Sequence, residues 1–131
     1  MNNYHIAYLC LLVVALLPYV ATMIAKSDRS TFDNRDPRGW LAQQEGYRKR
    51  ANAAQLNAFE AQASFYAAVL LNVLVGSAPA SVNVWALVFV TMRVLHMVFY
   101  LADKDRARSL SFGGALTCVV GLFVLALMNV K

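Results

Sequence analysis

Arg93, His96 and Tyr100 recur at i, i+3 and i+7 inside the apolar run "VNVWALVFVTMRVLHMVFYL" (82–101), so they share one face of a helix. Arg50, Asn57, Glu60 and Ser64 form a second stripe, spaced by 7, 3 and 4 residues, in "RANAAQLNAFEAQASF" (50–65). Guanidinium groups take carboxylates, and Asn57 and Glu60 can pair with amides or an amine. Together the two stripes suit a small anionic, peptide-like ligand. The same groups also fit a structural role, because polar contacts hold helices together in lipid at about 1 kcal/mol each.

The elements that must position these side chains follow from composition. The chain has 131 residues, of which 60% are hydrophobic and only 15% charged, too apolar for a soluble domain of this size. A membrane span needs about 20 apolar residues; the segments 6–25, 82–101 and 110–130 qualify outright, and 52–76 is the fourth candidate, apolar in its second half but carrying Asn52, Gln55, Asn57, Glu60 and Gln62 in its first. We therefore expect an all-α membrane protein, a single domain over 1–131 built as a bundle of four transmembrane helices. The first segment is read as a span, not a signal peptide, because "MNNYH" has no positive charge and no small-residue cleavage site precedes Lys26. Pro18 is expected to bend it.

Basic residues concentrate in the loops 26–50 and 102–109, whereas the other side has Lys131 and the uncharged turn "GSAPAS". The positive-inside rule then puts both loops in the cytoplasm and both termini on the non-cytoplasmic side. A bacterial inner membrane is the expected location, since the chain is compact and lacks retention signals. The net charge of +5 reflects this topology and favours contact with anionic membrane lipid. Nucleic-acid binding is not expected, because acidic residues dilute the basic ones and leave no extended basic patch.

Within loop 26–50, Asp36 and Pro37 read as N-cap and first residue of a helix. Continued from Pro37 to Val75, such a helix would be about 58 Å long, with Gly39 and Gly46 as breaks. Trp40 and Tyr47 suit the membrane interface or ordinary packing. Cys10 and Cys118 differ in depth and are not expected to pair. Gly114, Cys118 and Gly121 read as a stripe for close helix packing. Neither metal-ligand spacing nor a phosphate loop nor a nucleophile turn is present.

Counting inward from the loop side at 1.5 Å per residue puts Glu60 about 15 Å and Arg93 about 12 Å deep. An ion pair between them is expected, with Asn57 and His96 one turn shallower. Arg50 and Tyr100 lie near the mouth, where Arg106 and Arg108 add charge.

These motifs resemble those of the membrane-associated proteins in eicosanoid and glutathione metabolism, the MAPEG family. The resemblance rests on "RANAAQLNAFEA" in the second span and on "RVLHMVFYL" followed by "RARS". It implies a homotrimer with glutathione as cosubstrate, bound between subunits near the cytoplasmic face, and a transferase or peroxidase activity on lipophilic electrophiles. It also implies that Asn57, Glu60, His96 and Tyr100 contact glutathione, that Arg93 packs near Glu60, and that Arg108 and Ser109 hold and activate the thiol; with Arg50 at the mouth and Arg93, these make up the expected glutathione-binding set. A positive-inside anchor at Arg108 and a helix N-cap at Ser109 are the alternatives. Leu56, Ala53 and Phe112 depart from the family pattern, each removing a glutathione contact. A non-catalytic protein of the same family that binds lipid or a small molecule is therefore a second reading, and a small four-span exporter is a third.

Overall fold

A computed structural model of the chain describes residues 3–130. Lys131, expected on the non-cytoplasmic side, lies outside the described residues. Among the described residues five helices follow one another: α1 (His5–Ala25), α2 (Pro37–Ala42), α3 (Gly46–Val75), α4 (Pro79–Leu101) and α5 (Asp105–Asn129). All but α2 are long and apolar enough to cross a membrane. Described residues contain no strand, and the protein is an all-helical integral membrane bundle.

The helix ends follow local chemistry. Asp36 caps α2, its carboxylate accepting the Gly39 amide at 3.0 Å, with Pro37 at the first position. Gly39 does not break the helix. A side chain there would collide with the Asp36 carboxylate, so glycine accommodates the cap. The break lies at Gln43–Glu45, and α3 starts at Gly46 with φ +61°, a left-handed conformation suited to glycine. At the far end Gly76 (φ 72°) closes α3, and the Ser77 amide returns to the Asn72 carbonyl at 2.9 Å.

All four spans begin before their apolar segments, α1 and α4 by one and three residues and the other two by more. α3 starts at residue 46 where 52 was expected, and α5 at 105 where 110 was expected. Polar residues extend both helices beyond the apolar segment, so "RARS" is helical and the loop it was assigned to shrinks to 102–104.

α1 packs chiefly on α3, and α4 on α5, while α3 also meets α5 and α4 meets α1. The interior is built from small residues: Ala7, Ala21, Ala25, Ala51, Ala68 and Ala86 are fully buried. Small side chains let helices approach closely, which drives association where lipid is as apolar as leucine. Phe65 and Phe89 stack at the centre with centroids 4.0 Å apart. The larger aliphatic side chains point outward, Leu9, Leu12, Leu16 and Met23 on α1 and Leu116, Val120 and Leu127 on α5 among them. This arrangement suits a lipid solvent. Gly114 and Gly121 lie against the Met92 sulfur and the Trp85 ring. Cys10 and Cys118 are buried and unpaired.

Polar contacts tie both ends. Tyr4 donates to the Ser77 carbonyl at 2.6 Å, and Asn83 links the start of α4 to Asn3 and Ala7. At the loop end Trp40 and Leu41 of α2 pack on Ala25, Ala51 and Leu101, where three spans finish. Pro18 sits buried within α1, and its missing N–H frees the Val14 carbonyl, which accepts from Gln62 Nε2 at 2.9 Å.

Candidate functional site

The polar stripes of α3 and α4 face a cleft closed on its third side by α5. Its deeper part is a cavity of about 200 Å³ lined by Asn57, Glu60 and Ser64 of α3, Phe89 and Arg93 of α4, and Phe112 and its neighbours on α5. Its outer part, about 240 Å³, is lined by Asn57, His96, Tyr100, Arg108, Ser109 and Phe112. Asn57 and Phe112 are walls of both, so the two spaces adjoin. Each alone is smaller than the roughly 300 Å³ of a typical small-molecule site, and together they reach that range.

Arg93 is buried, and its guanidinium donates to the Asn57 side-chain oxygen at 2.8 Å and to the Asn57 carbonyl at 3.2 Å. The expected Glu60–Arg93 ion pair is absent among the described residues, and Asn57 takes its place. Depth explains the exchange. Arg93, about 12 Å in, is nearer to Asn57 at about 10.5 Å than to Glu60 at about 15 Å. The carboxylate stays on the cleft wall with its oxygens unpaired by Arg93.

His96, also buried, meets Tyr100 edge-on at 5.5 Å and Phe112 at 6.2 Å. The Arg108 guanidinium lies over the Tyr100 ring, 4.5 Å from its centroid, so a cation is held at the mouth by an aromatic face. Arg108 and Ser109 belong to the first turns of α5, not to a loop. Ser109 is therefore not the N-cap of that helix, a place held by Lys104. The positive end of the α5 dipole adds to the Arg108 charge at this mouth.

Arg50 does not line either space. Its Nε donates to the Leu101 carbonyl at 3.2 Å, and a terminal nitrogen lies 3.9 Å from the Asp103 carboxylate. The residue fastens α3 to the α4–α5 turn. Arg106 contributes to a shallow recess with Asp105, Arg108 and Ser109.

The apolar wall formed by Phe89, Phe112, Ala115, Leu116 and Val119 has no counterpart in the sequence expectations. Its signal was the spacing of Phe112, Ala115, Leu116 and Val119 at i, i+3, i+4 and i+7, one face of α5.

Four apolar helices and a polar cleft built from the α3 and α4 motifs are joined by one further observation. A MAPEG family model matches residues 6–128, nearly the whole chain. The chain belongs to the MAPEG family. No curated protein matches it. Proteins of the MAPEG family are membrane helical bundles generally associated with glutathione, and they generally form trimers. The cleft of this MAPEG protein brings together Asn57, Glu60, Arg93, His96, Tyr100, Arg108 and Ser109 from the motifs of the sequence resemblance, whereas Arg50 and Arg106 line neither of its spaces. Its departures are visible too: Leu56 and Ala53 line neither space, and Phe112 presents an apolar ring to both.

Proposed function

We propose that this MAPEG protein binds glutathione in the α3–α4–α5 cleft, near the cytoplasmic face, and transfers it to a lipophilic electrophile or uses it to reduce a lipid hydroperoxide. The observation that carries this reading is the convergence of Asn57, His96, Tyr100, Arg108 and Ser109 on one small space. Arg108 and Arg93 supply cations for carboxylates, Glu60 an acceptor for an amine, and Asn57 and Tyr100 hydrogen bonds for amides. A homotrimer accords with the family and would cover the exposed flank of α3 that carries Glu60. The positive-inside rule assigns the basic loops to the cytoplasm, and the bacterial inner membrane remains the membrane we propose.

Thiol chemistry requires thiolate at neutral pH, hence a pKa brought down from about 8.5. Arg108, assisted by the α5 N-terminus, favours negative charge at the mouth, and the Ser109 hydroxyl can donate to the sulfur. The apolar wall from Phe89 to Val119 then receives the lipophilic partner from the bilayer.

A second reading, a non-catalytic binding protein, is favoured by one specific observation. Arg50 is committed to Leu101 and Asp103, and Leu56 and Ala53 offer no charge in its stead. Detergent-purified protein titrated with glutathione by calorimetry, then assayed with an aryl halide, separates the two. Binding with turnover that Arg108→Ala abolishes supports the transferase. Binding without turnover supports the second reading, and absence of binding overturns both the ligand and the activity.

A further inference from the structure

A free arginine side chain samples many rotamers, and a charge that wanders in water does little for a nearby anion. Whatever fixes the Arg108 guanidinium therefore decides how well it can favour a thiolate. Arg108 is half-buried, and among the described residues no carboxylate pairs with it. Asp105, three residues earlier on α5, is exposed and forms no ion pair with it. The Tyr100 ring holds the cation instead, 4.5 Å from its centroid.

The ring is itself fixed. Tyr100 packs against Ala21, Ala54 and Met97, contributed by three different helices, and the His96 ring meets it edge-on at 5.5 Å. An aromatic face attracts a cation through its quadrupole and leaves the net charge intact, whereas a carboxylate would cancel the field that a bound anion needs. Tyr100 and Arg108 both line the outer space of the cleft, so the uncancelled charge is presented where a thiolate would lie.

We propose that Tyr100 is a positioning residue for thiol activation: its ring, not its hydroxyl, holds the Arg108 guanidinium at the outer space with its charge uncompensated. This role rests on the glutathione reading above and adds how the cation is presented. On ionisation the thiol proton leaves to water, and the sulfur anion that forms is the partner of Arg108. Other charged or titratable groups about the cleft and its mouth are Glu60 of α3, Arg93 and His96 of α4, and Asp105 and Arg106 of α5. All of these remain when Tyr100 is replaced, so comparison with an Arg108→Ala background isolates the part that acts through Arg108.

The experiment titrates glutathione bound to the detergent-purified protein, following the ultraviolet absorbance of its thiolate against pH. Tyr100→Leu should raise the midpoint by about half a unit, roughly a threefold loss of thiolate below it, the scale of one cation–aromatic contact. Tyr100→Phe keeps the face and should keep the wild-type midpoint, even as loss of the hydroxyl lowers affinity for glutathione. With Arg108→Ala already in place, Tyr100→Leu should shift nothing further. A second readout needs no glutathione: phenylglyoxal modification of Arg108, mapped by mass spectrometry, should be about threefold faster in Tyr100→Leu and unchanged in Tyr100→Phe. The exposed Arg106 is its internal control. Tyr100→Met takes the place of Tyr100→Leu if leucine does not pack. A wild-type midpoint or modification rate in Tyr100→Leu, an equal shift in Tyr100→Phe, or a shift that persists without Arg108 overturns the positioning role alone. Wild-type protein that binds no glutathione overturns the glutathione reading, and thiol activation with it, whatever the modification rates.

Discussion

Gln62 donates its side-chain N–H to the Val14 carbonyl at 2.9 Å, the same carbonyl that Pro18 leaves without an intrahelical partner. A helix interior in lipid cannot use water to satisfy such a group, so a neighbouring helix must. Gln62 therefore sits in the polar half of α3 to complete α1, not to meet a ligand. Gln62→Met should destabilise the protein by about 1 kcal/mol, the scale of one such interhelical bond. In a Pro18→Ala background the backbone regains an amide at that position and with it the intrahelical bond, so the same Gln62→Met substitution should cost less than about half as much. Thermal unfolding in detergent of the four proteins gives the coupling directly. Additive effects would disprove the link.

Asn57 and Glu60 lie one turn apart on α3 but do different work. Asn57 holds the buried Arg93 guanidinium, whereas Glu60 faces the cleft without a bond to it. Asn57→Leu should cost about 1.5–3 kcal/mol, as expected when a charged donor loses its partner. Glu60→Gln should change stability by less than about 0.5 kcal/mol, yet weaken ligand binding at least tenfold. Unfolding curves and a glutathione titration of both variants test this division. If Glu60→Gln proved the more destabilising of the two, the assignment of Arg93 to Asn57 would be wrong.

How far the sequence alone led can be judged from particular residues. Three spans were legible outright because apolar runs of about 20 residues have few other uses, the fourth only from the apolar second half of 52–76, and the shared cleft was legible because i, i+3, i+7 spacing sets a face. Asn57 and Glu60 differ in height by one turn, about 5 Å, and that is finer than an estimate of where a helix enters the membrane. The partner of Arg93 was therefore missed. α5 begins at Asp105 because a helix started in water needs no apolar residues, and hydropathy is blind to such a turn. Arg50 was placed at the mouth by periodicity along α3, but its orientation depends on Asp103 in another element, which no local pattern encodes.

The connection between α1 and α2 has its own electrostatic lock. Asp28 accepts from the Ser30 hydroxyl at 2.6 Å and the Thr31 hydroxyl at 3.0 Å, and Arg48 of α3 stands 3.5 Å away. Chiefly the Ser30 hydrogen bond, then that of Thr31, with a smaller contribution from Arg48, holds the carboxyl below its ordinary value of 3.8. Because the folded value is depressed, the stabilisation is complete above the ordinary value and declines as pH falls toward the lower, folded one. Proteolysis of loop 26–45 by an acid-active protease should therefore accelerate below pH 3.8 in the wild type. Asp28→Asn should be cleaved faster at about pH 5, where the wild-type carboxylate is ionised, and show a weaker dependence on acid. A variant with the wild-type acid profile would assign the sensitivity to another group.

Asp103 adopts φ 58° at the α4–α5 turn, the only non-glycine residue with positive φ among those described. The Lys104 amide bonds back to the Phe99 carbonyl at 2.9 Å, which fixes Asp103 in the left-handed position where glycine is preferred. In that position an L-residue carries a penalty of about 1 kcal/mol, somewhat less for Asp. Its compensation is the 3.9 Å pair with Arg50, whose Asp103 partner is 74% exposed, so screening limits it to well under about 1 kcal/mol. Relief of backbone strain should win, and Asp103→Gly should raise the melting temperature in detergent by a few degrees. Asp103→Ala loses the pair while keeping the strain, so it should melt below the wild type. The reverse order would mean that the charge pair outweighs the backbone at this turn. Since Asp103→Gly also loosens Arg50 from its anchor, glutathione affinity measured alongside should rise if that guanidinium can reach the mouth of the cleft.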